Sequence, residues 1–549
     1  MRRLSPILLA VALACAPTVA VTETQSAPVS TSIEQVAPTA TPLPSSTTTT
    51  TQPPPTARLS PRPIWLFPGP DHFEGDVLTA QVPLGKFDAD ELTAATVTLD
   101  GVEVAVSGSL SGDPLLGDYL MFASAIDTTG LLGDHMLRVE ATVDGSSIEV
   151  SQAFTVHPDS QRPPQERSAR WVPVEAGCCT VYVLESTAAD RDIALLTSII
   201  EDTTDEVEQR FGLEIAPIDL VLLDVLWGNG GYAGGEVAIS YLDRDFGPRT
   251  ADTVALTFVH EFTHAISRSL DGTHTPWPLN EAMAVFITGG HFKDQPLGPR
   301  AKALAMLGRL LPLDEFLSDF TNLQHEARYV QAGALATYIV ETFGWEAWLD
   351  LYGADHDEQS WSGWMDAASS ATLGVDLETL DDGFREWVDE QPLGNQIQDL
   401  ELTIALQTVR RAYQAAYAPY PNYFIYESVR DAPQTAVALR EAGDPVTAAV
   451  ETFIAHAQQL VIEGHLDEAE PFVDELEAIV ASGVVAGRLV TPFLELALAV
   501  DAEGFELLDY NPITGTGVVT AREPDLVPIV VSVDNGRLVG WKQVVSATN

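Results

Sequence analysis

Apolar and polar positions alternate along HMLRVEATVDGSSIEVSQAFTV (135–156). Leu137, Val139, Ala141 and Val143 fall on one face, and Arg138, Glu140 and Thr142 on the other. That period of two predicts a half-buried strand, broken at Asp144-Gly145. TVTLDGVEVAV (96–106) repeats the theme about Asp100-Gly101, a hairpin signal. Short strands with Gly turns over residues 63–160 predict a β-sandwich, expected to act as a spacer or, as the alternative, a docking module. From 168 the pattern mixes. WVPVEAGCCTVYVLES (171–186) predicts a strand, and AADRDIALLTSIIEDTTDEVEQRFG (188–212) a helix stopped by Gly212. IDLVLLDV (218–225) predicts an apolar strand, and GNGGYAGGEVAISYLD (228–243) a Gly-rich loop leading into another. VALTFVHEFTHAIS (254–267), TPWPLNEAMAVFITGG (275–290) and HEARYVQAGALATYIVETFGWEAW (325–348) carry helical patterns. Residues 168–395 therefore read as one α+β unit. A helical region at 396–490 follows, with LTIALQTVRRAYQAAY (402–417) and hairpin turns at AGD and EGHLDEAE. Residues 491–549 return to strands as a small β-rich region, with a hairpin at Asp534-Asn535-Gly536.

The chain is multidomain on length alone, at 549 residues. Its net charge of −51 excludes nucleic acid and anionic lipid as specific partners, and a monomer is expected. Three cysteines, Cys15, Cys178 and Cys179, cannot build a disulfide framework. Adjacent Cys178 and Cys179 are expected to be two packed thiols, because neighbouring Cα atoms sit closer than a disulfide prefers. Arg2 and Arg3 before the apolar run Leu4–Leu13 make residues 1–15 a secretory signal. Ala12-Leu13-Ala14-Cys15 resembles a bacterial lipobox, with Ala12 where Leu is usual. The resemblance implies lipid on Cys15 and a cell-surface, membrane-anchored protein. The alternative is plain secretion, with Cys15 lost in the signal. Residues 16–62, rich in Thr, Ser and Pro, are expected to be a disordered tether. The membrane is thus touched only through the N-terminal anchor.

The chemistry concentrates in His260, Glu261 and His264, in the order H-E-x-x-H. Residues four apart on a helix share a face, so His260 and His264 can hold one metal. Glu261, about 100° round the helix, is placed to activate water. Phe258, Val259, Phe262 and Ile266 surround them with apolar surface, in which unpaired polar groups are costly. Glu281, behind Pro276 and Pro278, is the candidate third ligand.

HEFTH followed by NEAMAVF resembles the glutamate-zincin metallopeptidases, the group of thermolysin and the aminopeptidase N type. The resemblance covers 168–395 and is sharp at HEFTH, NEA and the helix at 325–344. It implies a zincin-like fold, Zn2+ held by His260, His264 and Glu281, Glu261 as general base, and Asn280 orienting a ligand histidine. Val285 stands where thermolysin-like enzymes carry an Asp behind a ligand. Tyr329 matches the position that supplies a phenol to the oxyanion, with His325 as its rival. Such enzymes bind peptide along an edge strand, so residues 228–240, including Gly234, Gly235 and Glu236, are candidate substrate contacts. The sandwich looks like the immunoglobulin-like modules of bacterial surface proteins. The implied function is an exported zinc metallopeptidase acting on a peptide or protein substrate. Alternatives are an aminopeptidase-like exopeptidase using Glu236, or an inactive surface binding protein on a zincin scaffold.

Overall fold

The computed structural model describes residues 57–69, 71–84, 92–104, 108–113, 117–224, 230–233, 236–242, 251–270, 275–291, 293, 295–355, 360–418, 444–521, 529–534 and 537–543. The expected signal, Cys15 and most of the expected tether lie outside these residues. So do Gly234 and Gly235.

The architecture is mixed α/β, with several sheets. In the N-terminal region, one four-stranded sheet joins β1 (Trp65–Phe67), β3 (Val77–Pro83), β6 (Ser109–Asp113) and β7 (Gly117–Asp127). A five-stranded sheet joins β2 (His72–Phe73), β4 (Leu92–Leu99), β5 (Val102–Val104), β8 (Gly133–Val143) and β9 (Ser146–His157). The inward faces, among them Leu78, Val82 and Phe122 from one sheet and Val97, Leu137, Val139 and Val156 from the other, form one apolar core. Hairpins turn where Asp100-Gly101 and Asp144-Gly145 predict them, which fixes register, with Leu99 opposite Val102 and Val143 opposite Ser146.

The central sheet has the order β10 (Trp171–Ala176), β11 (Cys179–Leu184), β12 (Ile218–Leu223), β14 (Val237–Ser240), β13 (Gly231–Ala233). Residues 171–186 are thus two antiparallel strands rather than one: the chain reverses at Gly177-Cys178, pairing Ala176 with Cys179. Cys178 and Cys179 are free thiols. Strand β12 is apolar at successive positions because both its faces are covered. Leu220 and Leu222 face a core shared with the helices, while Val221 and Leu223 meet Trp65 and Phe67 of β1. The sandwich is therefore packed on the sheet through β1.

Helix Gln396–Tyr417 joins the central unit to the C-terminal region. Leu400 and Ile404 pack on Ala303, Leu304, Ala327 and Val330. Leu402, Leu406, Val409 and Tyr413 pack instead among the C-terminal helices. That region holds helices Pro445–Ile462, Leu466–Ser482 and Thr491–Asp501, then four antiparallel strands, 505–511, 516–521, 529–534 and 537–543. Residues 491–501 were expected to begin the β-rich region but form a helix, because Phe493, Leu496, Ala497 and Val500 make an apolar face of helical spacing. The expected tether, 16–62, also ends early. Leu59 donates its N–H to Gly483 at 2.8 Å, Val485 donates to Ala57 at 3.0 Å, and the Leu59 side chain is buried.

Candidate metal centre

Helix Ala251–Ser267 carries H-E-x-x-H between the central sheet and helices Ile193–Phe211 and Trp277–Thr288. Phe258, Phe262 and Ile266 are buried in that core. The geometry brings together His260, His264 and Glu281, whose ligand atoms all lie within 4.8 Å of one another. The two Nε2 atoms are 3.2 Å apart, and Glu281 Oε2 is 3.3 Å from His260 Nε2 and 3.5 Å from His264 Nε2. A tetrahedral ion with ligands at about 2.0–2.1 Å requires edges of about 3.3–3.4 Å. The triangle has that size.

The donor chemistry agrees with a cation at its centre. Glu281 Oε1 accepts from Trp277 Nε1 at 2.7 Å, while Oε2 is buried and turned toward the two imidazoles. The two imidazole nitrogens and the carboxylate oxygen converge on one point. Burial raises the Glu281 carboxyl, but the imidazoles of His264 and His260 outweigh it and hold the group well below its ordinary range. Two imidazoles and one carboxylate are the donor set of Zn2+ sites that keep a fourth position open.

Glu261 is buried beside this triangle without being part of it. Burial pushes its carboxyl up to about 7 and Glu281 adds to this, with His260 and Arg268 opposing. Its other neighbour is edge strand β13. A Cβ on Gly231 would lie 2.5 Å from Glu261 Oε1, so only glycine lets the strand run so close. Arg268, just beyond the helix, donates to the Ala233 carbonyl and fixes the strand's far end. Glu236 lies half-buried before β14.

Tyr329, on helix His325–Phe343, stacks at 6.3 Å from the ring of His260. Burial and the Glu281 carboxylate push its phenol well above the ordinary value, so it stays a hydroxyl donor. The His325 ring lies 4.2 Å from that of Tyr329 and is also buried. Asn280 is placed differently from expectation. Its Oδ1 accepts from the Tyr352 hydroxyl at 2.5 Å, with no bond to a ligand histidine, since it points to another side of the helix than Glu281. Val285 is fully buried and touches the helix of Tyr329, where a Cβ on Gly333 would lie 2.4 Å from its Cγ1. The position is spent on close helix packing, and a carboxylate there would be buried against backbone.

Two neighbours have no counterpart in the sequence reading. The His291 ring lies 4.2 Å from Tyr329 and 6.3 Å from His260, and its Nδ1 is 2.7 Å from Glu326 Oε2. Glu326 also accepts from Arg300 at 3.0 Å; these partners overcome burial and hold its carboxyl at about 2. His291 follows a Gly-Gly break and belongs to no periodic pattern. Glu326 resembles an ordinary acidic residue in a first helical turn. Proximity in the fold is the signal that singles them out. No family model matches the chain, and no curated protein matches it.

Proposed function

We propose that the protein is an exported zinc metallopeptidase, anchored by lipid on Cys15, with a zincin-like catalytic unit behind an immunoglobulin-like module. The observation that carries this reading is the triangle of His260 Nε2, His264 Nε2 and Glu281 Oε2, with edges of 3.2, 3.3 and 3.5 Å. Zinc bound there would supply Lewis-acid polarisation and a more acidic water. The chain's own residues supply the rest. Glu261 accepts the proton of the attacking water and returns it to the leaving amine, a task suited to a buried carboxylate near neutral pKa. The Tyr329 hydroxyl donates to the carbonyl oxygen as charge develops there. β13 is the edge strand of its sheet, and an extended peptide can add to it beside Glu261.

Metal analysis tests the centre directly. The purified protein should hold about one zinc per chain, and His264→Ala and Glu281→Ala should each lose it. Zinc-replete protein that retains none would end the proposal. A second measurement tests the seat of Glu261. Gly231→Ala should displace the carboxylate and lower turnover on the order of 10²-fold, with zinc content unchanged. Unaltered turnover in that variant would mean the strand does not set the base.

A further inference from the structure

His325 opens the nineteen-residue helix His325–Phe343 and is 5% exposed. Its ring lies against Tyr329 and 4.9 Å from His291. Arg328 NH2 sits 3.3 Å from His325 Nδ1. A guanidinium can only donate, so Nδ1 accepts, and the proton of the neutral ring lies on Nε2. That N–H is buried and has no hydrogen-bond partner among the described residues. Buried donors in folded proteins are met by protein, water or ligand, and leaving one unmet is costly.

The surroundings select the kind of acceptor. The chain carries −51, yet two guanidinium groups act on this ring. Arg328 is buried one turn along, and Arg411 of helix Gln396–Tyr417 acts on the same imidazole. The adjacent carboxylate, Glu326, is already occupied by Arg300 and His291. The ring also stands in the first turn of a long helix, where backbone N–H groups favour negative charge.

We propose that His325 forms a carboxylate subsite beside the metal centre, its Nε2–H donating to a substrate oxygen. This rests on the peptidase reading above. The carboxylate belongs either to an acidic side chain or to the C-terminus of the peptide, and both present the same two oxygens.

The test uses full-length, zinc-loaded protein carrying Glu261→Gln, so that peptides bind without turning over. Three peptides of one sequence are titrated by calorimetry: a free C-terminal acid, the C-terminal amide, and the amide with one internal residue replaced by glutamate. A carboxylate peptide should bind about tenfold or more tighter than the plain amide, the worth of one charge-assisted hydrogen bond. The two carboxylate arms identify which source is used. The advantage should vanish in His325→Leu and in His325→Phe, which keeps a ring against Tyr329. It should return in part in His325→Gln, whose amide retains a donor. Equal binding of all three peptides overturns the subsite, as does an advantage that survives both apolar variants; the histidine would then be satisfied by water. A zinc-directed hydroxamate serves as control. If it binds parent and variants alike while carboxylate preference is absent, the subsite alone falls. If the parent holds neither zinc nor hydroxamate, the peptidase reading falls and takes the subsite with it.

Discussion

Glu261→Gln should yield a protein that keeps about one zinc and hydrolyses peptides on the order of 10²–10⁴-fold more slowly than the parent. The substitution is nearly isosteric, so the side chain still fills the space against Gly231. The three converging ligand atoms belong to His260, His264 and Glu281, and none is altered. What disappears is the proton acceptor. A glutamine oxygen accepts a hydrogen bond but cannot take a proton near neutral pH, whereas the buried Glu261 carboxyl lies at about 7. Zinc analysis beside kcat/KM on a mixed peptide pool separates the two effects. Loss of zinc would show that Glu261 is structural. Equal hydrolysis by parent and variant would place the proton transfer elsewhere. A parent that holds zinc and cleaves nothing would favour the inert binding scaffold, on which Glu261→Gln changes no function.

The residues that converge on the centre were legible where chemistry coincides with helical period. His260 and His264 are one turn apart on a helix whose other faces are apolar, and Glu281 lies in the first turns of the next, Pro-marked helix. Tyr329 was singled out only by the resemblance of its helix, and its ring lies 6.3 Å from that of His260. The sandwich core was legible for a similar reason: alternation at Leu137, Val139, Ala141 and Val143 survives unchanged as one buried face. Illegible were contacts made across long sequence separation. The bond of Leu59 to Gly483 and the seating of Trp65 on Val221 leave no local periodic trace. Nor does the ion chain that runs from His291 through Glu326 and Arg300 to Asp399, whose members come from four separate segments. Asn280 shows the limit of a motif. Its neighbour in sequence does reach the centre, but one residue of helical rotation sends the amide to Tyr352.

Those long-range contacts determine what happens when residues 168–395 are expressed alone: the piece should not fold cooperatively, although it contains every proposed ligand. Excision uncovers Leu184, Val221, Leu223 and Ala238, which the sandwich strand β1 covers through Trp65 and Phe67. It also uncovers Ala303, Leu304 and Val330, which Leu400 and Ile404 cover. Each large apolar side chain returned to water forfeits about 1.5–3 kcal/mol. Electrostatics adds to the loss. Asp399 lies outside the excised segment, yet it accepts from Arg300 NH1 at 3.0 Å and Lys293 Nζ at 2.7 Å in a buried cluster. Breaking a buried pair by removing one partner costs about 3–5 kcal/mol. The sum is of the same order as the roughly 5–15 kcal/mol that separates a folded domain from its unfolded chain. Thermal unfolding followed by near-ultraviolet circular dichroism decides the matter, with residues 57–543 as the comparison. The longer chain should melt in a sharp transition and bind zinc, while the excised piece should lack near-ultraviolet signal and bind a hydrophobic dye. A sharp melt at a similar temperature from the excised piece would show that the central unit is self-sufficient and that its contacts with the flanking regions contribute little.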